Sequence, residues 1–287
     1  MNNRIKAYIA LVITAVIWGI AFVMGKVALS GAAPFTILFW RFLFSCCVCL
    51  AVRFKKIIST PKRTVICGLI LGLVQVASLG LQLTGLLYTS AAKQSFLYAF
   101  YVPLTPFIAW IFTKKRPSIK MFACAVLALT GVGFLCFDGD LSLNSGDVLS
   151  LLAAAAFALQ VVLVSRFTKQ DTDSFQLSFF QFASAGCVSL LMCLITGGGL
   201  MWHSTAALSG ILYLAVPVTC IAFLVINYAG KYTGPSSVSL ILSLESVFGF
   251  ISSLIVYKEA ITVRLVIGAA LCFSAVILNI LSQKAEE

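Results

Sequence analysis

The chain has 287 residues, of which 61% are hydrophobic and only 10% are charged. Soluble domains are nearer to half apolar and a quarter charged, so a soluble globular protein is excluded. The net charge of +11 comes from short basic runs between long apolar stretches, which indicates membrane topology rather than binding to nucleic acid.

Ten apolar stretches are long enough to cross a bilayer, because a spanning helix needs about 20 mostly apolar residues. Backbone polar groups in lipid must be satisfied within the segment, so these stretches are predicted to be helices. The predicted fold is therefore an all-α integral membrane protein with ten transmembrane helices. In chain order the spans are Ala7–Leu29, Pro34–Val52, Thr64–Leu87, Ala91–Thr113, Ile119–Phe137, Asp147–Ser165, Phe175–Ile195, Ala207–Gly230, Pro235–Tyr257 and Val263–Ser282.

The basic residues fall mainly on one side of this topology. With the N-terminus in the cytoplasm, 15 of the 20 Lys and Arg residues lie on the cytoplasmic side. Cytoplasmic loops of membrane proteins carry such an excess. Both termini are therefore predicted to be cytoplasmic, in a multi-pass protein of the plasma or inner membrane. The 15 residues are Arg4, Lys6, Arg53, Lys55, Lys56, Lys62, Arg63, Lys114, Lys115, Arg116, Lys120, Arg166, Lys169, Lys231 and Lys284.

The two halves of the chain resemble each other. A shift of 144 residues aligns Tyr88 with Tyr232, Thr89 with Thr233 and Ser95 with Ser239 without a gap. Each half contains five spans, and because five is odd the second half crosses the membrane in the opposite sense. The sequence thus predicts two inverted five-helix repeats, residues 1–137 and 147–287, joined by an extracytoplasmic linker at 138–146. Many secondary transporters use this architecture.

Short motifs occur in a characteristic order along both halves. They are Trp18-Gly19 with Lys26, Pro34 followed by Trp40-Arg41-Phe42, Tyr88-Thr89-Ser90-Ala91, Pro103 and Pro106, then Leu244-Glu245, Glu259, Thr262 and Gly268. With these motifs the chain resembles the drug/metabolite transporter superfamily, EamA type. The resemblance implies ten helices around a central cavity and export of amino acids, metabolites or drugs. Ser246 and Lys115 depart from the family, which often has Pro and Glu there.

Glu245 lies about ten residues into the ninth span, which is near mid-membrane at about 1.5 Å per residue. An acid at this depth costs roughly 2.5–3.5 kcal/mol on insertion scales, so it should face a cavity or a partner. It is predicted to couple transport to protons or to bind a substrate amine, with a structural ion pair or a hydrogen bond between helices as the alternative. Ser239, Ser243 and Ser246 share another face of this helix, roughly 100–130° away, so the two faces do not both point squarely into one narrow cavity.

Other polar and aromatic side chains in the spans are candidates for substrate binding, with bonding between helices as the alternative. Arg41 is the deepest cation, whereas Lys26 and Lys93 near the outer side either attract anions or snorkel to headgroups. Pro103, Pro106 and Pro217 should kink their helices, and Gly68 and Gly72 suit close packing. The candidates are Trp18, Arg41, Gln75, Gln82, Gln94, Ser95, Tyr98, Tyr101, Gln160, Asn227, Ser239 and Ser243.

No motif for a cofactor, a metal or a catalytic nucleophile is recognisable. The ten Cys residues lie in apolar stretches without ligand spacing, and His203 is the only His. A secondary transporter of amino acids or similar small polar metabolites, with no cofactor and a monomeric or homodimeric assembly in the lipid bilayer, is the favoured interpretation. Efflux of lipophilic cations is the alternative, and a membrane-embedded enzyme or a channel is a remote one.

Overall fold

The protein is described by a computed structural model over residues 3–114, 116–136, 144–168, 173–233, 235–242, 244–258 and 261–284, and every regular element in these ranges is helical. A π-helical segment, Leu214–Ile221, lies between α9 and α10. The α-helices are α1 (Asn3–Leu29), α2 (Pro34–Ile58), α3 (Lys62–Leu86), α4 (Ala91–Tyr98), α5 (Tyr101–Thr113), α6 (Ile119–Cys136), α7 (Ser145–Thr168), α8 (Ser174–Thr196), α9 (Thr205–Tyr213), α10 (Ala222–Ala229), α11 (Pro235–Leu242), α12 (Leu244–Tyr257) and α13 (Val263–Lys284).

Within the described residues, seven helical segments are long and apolar enough to cross a membrane. They coincide with the first four predicted spans and with the sixth, seventh and eighth. The fifth, ninth and tenth predicted spans coincide with α6, with α11 and α12, and with α13. The seven segments are Ile5–Leu29, Pro34–Ile58, Lys62–Leu86, Ala91–Thr113, Ser145–Thr168, Ser174–Thr196 and Thr205–Ala229.

Among the spans that the structure describes without a gap, two are not regular helices throughout. The fourth divides into α4 and α5 at Ala99 and Phe100, because Pro103 has no N–H to donate to the carbonyl of Ala99. The eighth widens into the π-helical segment around Pro217. The kinks expected at Pro103 and Pro217 are thus confirmed as irregularities of the backbone, and both lie at mid-span.

Contacts between helix termini define two ends of the bundle. At the first, Lys56 of α2 pairs with Asp173 before α8, and Arg166 of α7 lies over the Phe112 ring of α5. We call this the basic end. Its basic residues include Lys6, Arg53, Lys55, Lys56, Lys62, Arg63, Lys114, Arg116, Lys120, Arg166 and Lys231.

Contacts at other helix termini define the opposite end of the bundle. Lys93 at the start of α4 pairs with Asp147 at the start of α7, at 3.0 Å. The backbone N–H of His203, before α9, donates to the carbonyl of Gly31 after α1. Because α1 ends here while α7 and α9 begin here, α1 runs antiparallel to both of them.

The helix pairs that pack together form a symmetric pattern. Helix α1 packs on α12 and on α9–α10, while α7 packs correspondingly on α4–α5 and on α3. Helix α2 packs on the π-helical segment as α8 packs on α3. The pairs α2–α8 and α6–α13 each join a helix to the corresponding helix of the other half. Exchanging the two halves therefore preserves every one of these contacts.

Helix boundaries repeat along the chain with the spacing seen in the sequence. Helices α5 and α12 end at Thr113 and Tyr257, which lie 144 residues apart like Tyr88 and Tyr232. Each is followed by a lysine in the left-handed region, Lys114 at φ 58° and Lys258 at φ 49°.

Close approach of α3 and α8 depends on small residues, as Gly68 and Gly72 predict. A Cβ atom on Gly72 would lie 2.6 Å from the carbonyl oxygen of Gln181 and from Cβ of Ser184. Ser184 Oγ donates to the carbonyl of Leu69 at 3.0 Å. The glycines therefore let the two helices touch backbone to backbone.

Candidate functional site

A narrow cavity of about 30 Å³ lies between the helices of the bundle. It has room for one or two water molecules, so a larger ligand requires the surrounding helices to move apart. Helices from both halves of the chain contribute to its wall. The lining residues are Trp18, Ala21, Phe22, Arg41, Leu79, Gln82, Leu83, Leu86, Gln94, Tyr98, Phe157, Leu214, Val218, Phe223 and Glu245.

Arg41 of α2 lines this cavity and is only 2% exposed. Its Nε donates to Thr219 Oγ1 at 2.7 Å, and Thr219 Oγ1 donates in turn to the carbonyl of Leu214 at 2.7 Å. The wider turn of the π-helical segment makes this five-residue bond possible. The irregular backbone therefore positions the guanidinium at the cavity wall.

Glu245 of α12 also lines the cavity and is 1% exposed. The hydroxyl of Tyr101 donates a hydrogen bond to its carboxyl group. Its Oε1 is buried and has no hydrogen-bond partner among the described residues. A buried acceptor without a partner costs free energy, so this oxygen is placed for a ligand or a proton.

Gln94 of α4 presents a second acceptor of the same kind. Its Nε2 donates to the carbonyl of Gln82 at 2.7 Å and to Ser150 Oγ at 3.1 Å. These bonds fix the amide group, and its Oε1 is left without a partner in the described part of the structure. The cavity thus combines one cation with two unoccupied acceptors.

Aromatic rings form a continuous layer across the bundle at the base of the cavity. Trp18 contacts Phe157 and Phe223 at ring-centroid distances of 5.4 and 5.3 Å. Its Nε1 donates to the carbonyl of Val218 at 3.0 Å, which ties α1 to the π-helical segment. The layer, called the aromatic layer below, consists of Tyr101, Phe157, Trp18, Phe223, Phe182 and Phe42.

Six of the residues predicted from sequence line this one cavity. Only the tertiary structure brings them together, since they come from five different helices. They are Trp18, Arg41, Gln82, Gln94, Tyr98 and Glu245.

Other candidates lie outside the cavity. Ser95 Oγ donates to the carbonyls of Ala92 and Ser246, so it joins α4 to α12. Gln75 and Asn227 bond to Gln181, a residue that the sequence analysis missed. An amide in the apolar run of α8 was the available signal.

Gln160 is 1% exposed on α7 and does not line the cavity. Ser239 lies in α11, but its side chain is not within the described part of the structure. Ser243 falls outside the described residues.

The two lysines near the opposite end of the bundle do not reach the cavity. Lys93 is paired with Asp147. Lys26 Nζ donates to the carbonyl of Thr89 at 3.3 Å and lies 5.7 Å from the centre of the Tyr257 ring. Of the described cations, Arg41 is therefore the one placed to meet a ligand in the cavity.

Comparison with known proteins identifies the family. The EamA-like transporter family matches residues 5–137 and again residues 144–281. The chain belongs to the EamA-like transporter family. An uncharacterized transporter of Archaeoglobus fulgidus is 29% identical to this EamA-like transporter over 280 residues, covering 96% of this chain and 86% of the relative.

Further relatives agree with this assignment. A second uncharacterized transporter of Archaeoglobus fulgidus is 26% identical, covering 99% of both chains. One of Methanothermobacter thermautotrophicus is 25% identical, covering 91% of this chain and 82% of the relative. A crystal structure of a protein with 16% sequence identity superposes with a TM-score of 0.74 over 98% of this chain and 99% of the other. This EamA-like transporter is thus a multi-pass membrane protein, and the names of its relatives indicate transport rather than catalysis.

Proposed function

We propose that this EamA-like transporter carries small zwitterionic metabolites, with α-amino acids as the first class, by alternating access. The observation that carries the proposal is the composition of the central cavity. Arg41 lines it together with Glu245 Oε1 and Gln94 Oε1, which are buried without a partner among the described residues. The set matches the two charged groups of an amino acid.

Each group of the substrate has a chemical counterpart. An ammonium offers three donors and needs acceptors, which the carboxyl of Glu245 and the amide oxygen of Gln94 supply. A carboxylate bonds strongly to a guanidinium, which Arg41 supplies. Trp18, Phe22 and Phe157 give the remaining wall an apolar surface for a substrate side chain.

Alternating access follows from two inverted repeats, residues 1–137 and 147–287, joined by a linker at 138–146. The exchange symmetry of the helix contacts and the shared 144-residue spacing of helix boundaries support this arrangement. The opposed directions of α1 and α7, the first helix of each half, also support it. Rocking of one repeat against the other exposes the cavity to each side in turn.

The proposed orientation places the basic end in the cytoplasm, with both termini on that side. At least eleven basic residues of the described chain lie at that end, as the positive-inside rule requires. Export from the cytoplasm is the proposed direction.

Protons are the proposed coupling ion, and Glu245 is the proposed coupling group. Its Oε1 binds either a proton or the substrate ammonium, because both need the same oxygen. Glu245→Gln should remove the pH dependence of transport and leave the folded protein in the membrane. Transport at several pH values in proteoliposomes measures this. Unchanged pH dependence in Glu245→Gln contradicts the coupling role.

Lipophilic cations form the second candidate class, because the carboxyl of Glu245 lies in a cavity lined by five aromatic side chains. They are Trp18, Phe22, Tyr98, Phe157 and Phe223. Arg41 in the same cavity repels such cations. The charge of Arg41 therefore favours zwitterions.

Thermal stability of the purified protein with added ligands tests the proposal. A ligand that binds only the folded state stabilises it by about 2.7 kcal/mol at a hundredfold excess over Kd. A saturable rise in Tm with amino acids, but not with sugars, purines or organic acids that lack an amine, is the expected result. Rises confined to lipophilic cations, and lost in Glu245→Gln, would instead assign drug efflux.

A further inference from the structure

A second polar cluster lies outside the central cavity and joins three helices. Gln181 Nε2 of α8 donates to Gln75 Oε1 of α3 at 2.8 Å. Asn227 Nδ2 of α10 donates to Gln181 Oε1 at 3.0 Å and to Ser178 Oγ at 2.7 Å. All four side chains are completely buried.

The cluster holds more hydrogen-bonding capacity than it uses. Gln75 Nε2 and Asn227 Oδ1 have no partner among the described residues, and the same is true of both amide atoms of Gln160. Gln160 lies on α7, which packs against both α3 and α10. Unpaired buried amides are costly, so helix packing alone does not account for two open donors and two open acceptors on the three neighbouring helices α3, α7 and α10.

The amides lie immediately on the basic-end side of the aromatic layer. Helices α7 and α10 run toward the basic end, and Gln160 and Asn227 follow the layer residues Phe157 and Phe223 by one turn. Helix α8 runs the other way, and Gln181 directly precedes the layer residue Phe182. Gln75 lies one turn closer to the basic end than Leu79, the first cavity residue of α3. The rings therefore separate the cavity from the amides.

We propose that Gln75, Gln160, Gln181 and Asn227 form an inner binding site for the polar groups of the same zwitterionic substrate, occupied when the transporter opens toward the basic end. The inference rests on the proposed function. Two open donors suit a carboxylate and two open acceptors suit an ammonium, so the site presents both kinds of partner without a charge.

The position of Gln181 explains how the inner site differs from the cavity. Gln181 lies seven residues after Ser174, the first residue of α8, and Arg41 lies seven residues after Pro34, the first residue of α2. Helices α2 and α8 are counterparts under the exchange of halves. An amide thus stands where the other half has a guanidinium. Neutral hydrogen bonds are weaker than charge-assisted ones. The inner site therefore binds the substrate less tightly than the central cavity does, which favours release of the substrate.

Gln160→Leu is the decisive variant, because its amide has no partner to lose within the described structure. Gln176→Leu is the matched control, since Gln176 Nε2 bonds to the carbonyl of Lys56 at the basic end, away from the cluster. Three quantities are measured with a ¹⁴C-labelled mixture of the common L-amino acids as the probe. They are Tm in detergent, binding in detergent, and flux across proteoliposomes.

The expected result for Gln160→Leu is an unchanged or higher Tm, binding within about twofold of wild type, and flux reduced by about tenfold or more, equivalent to about 1.4 kcal/mol in the barrier. Gln176→Leu should keep the wild-type flux per folded molecule. If Gln160→Leu lowers Tm as much as Gln181→Leu does, the Gln160 amide stabilises the packing of the helices. That result would overturn the inner binding site. Wild-type flux in Gln160→Leu would also overturn it, and would leave the cluster as a place for buried water.

Failure of the proposed function gives a different pattern. In that case wild type itself neither binds nor transports the amino-acid mixture. The Tm comparison between Gln160→Leu and Gln181→Leu needs no substrate, so it still decides whether Gln160 holds the helices together.

Discussion

At the scale of single residues, the two faces of α12 have different neighbours. Glu245 points to the cavity and meets the hydroxyl of Tyr101. The carbonyl of Ser246, the next residue, accepts from Ser95 Oγ of α4 at 3.2 Å. Ser246 is itself buried and does not line the cavity, so of these two neighbouring side chains only that of Glu245 faces it.

Arg41→Gln tests the anionic half of the substrate site. Hydrogen bonds to charged groups contribute about 1.5–3 kcal/mol, so affinity for amino acids should fall by about tenfold or more, whereas affinity for lipophilic cations should not fall. Binding measured by the Tm shift checks this. Lys26→Gln is the control, because Lys26 lies outside the cavity, and it should bind as wild type does. Equal affinities in Arg41→Gln and wild type would contradict the carboxylate role.

The ion pair at the basic end predicts a pH effect on stability. Partial burial raises the pKa of the Asp173 carboxyl, but hydrogen bonds from Lys56 and from the backbone N–H groups of Gln176 and Phe175 outweigh it, so the pKa lies below the ordinary 3.8. A pKa that is lower in the folded state stabilises the fold at pH values above the unfolded-state pKa. This stabilisation is lost as the pH falls through the folded-state pKa.

Asp173→Asn should therefore lower Tm at neutral pH by a small amount, since half-exposed ion pairs contribute little. The difference from wild type should shrink once the pH falls below 3.8. Asn is a good N-cap, so the variant removes the charge and keeps the cap. A difference in Tm that stays constant down to pH 3 would show that the pair does not act through its charge.

At the scale of elements, the regular helices α3 and α8 meet at glycines, whereas the π-helical segment supplies polar groups at the cavity wall. Helices α3 and α8 touch at Gly68 and Gly72. The π-helical segment instead frees its carbonyls and Thr219 to bond with Trp18, Ser45 and Arg41. Two carbonyls and one hydroxyl of this segment thus join helices α1 and α2 to the cavity wall.

Two glycine substitutions should have opposite effects on stability. Gly72→Ala should lower Tm, because its Cβ would approach Gln181 and Ser184 to 2.6 Å and overpacking costs about 1–3 kcal/mol. Gly186→Ala should raise Tm slightly, because its Cβ would lie 3.5 Å from Phe42 and alanine favours a helix by about 0.5–1 kcal/mol over glycine. Thermal unfolding in detergent measures both. Equal Tm values for the two variants would contradict the close packing of α3 and α8.

At the scale of the whole molecule, charge and packing agree on the two ends of the bundle. The sequence placed basic residues in alternate loops, and the contacts between helix termini bring those loops to one end. The cavity lies between the halves, where no single helix could form it.

Reporter fusions test the proposed orientation. Alkaline phosphatase, which is active only outside the cytoplasm, should be active when fused after His203 at the opposite end. It should be inactive when fused after Thr60 at the basic end, which serves as the matched control. The reverse pattern would invert the proposed orientation and the direction of export.

The sequence by itself determined the class of fold, because a lipid solvent demands long apolar helices and leaves charges only in loops or in functional positions. The depth of Glu245 and Arg41 follows from counting residues along a helix. The tertiary structure decided which polar residues share a cavity. Burial direction depends on neighbouring helices, so Gln82 and Gln94 line the cavity while Gln75 and Asn227 bond to Gln181 beyond the aromatic layer.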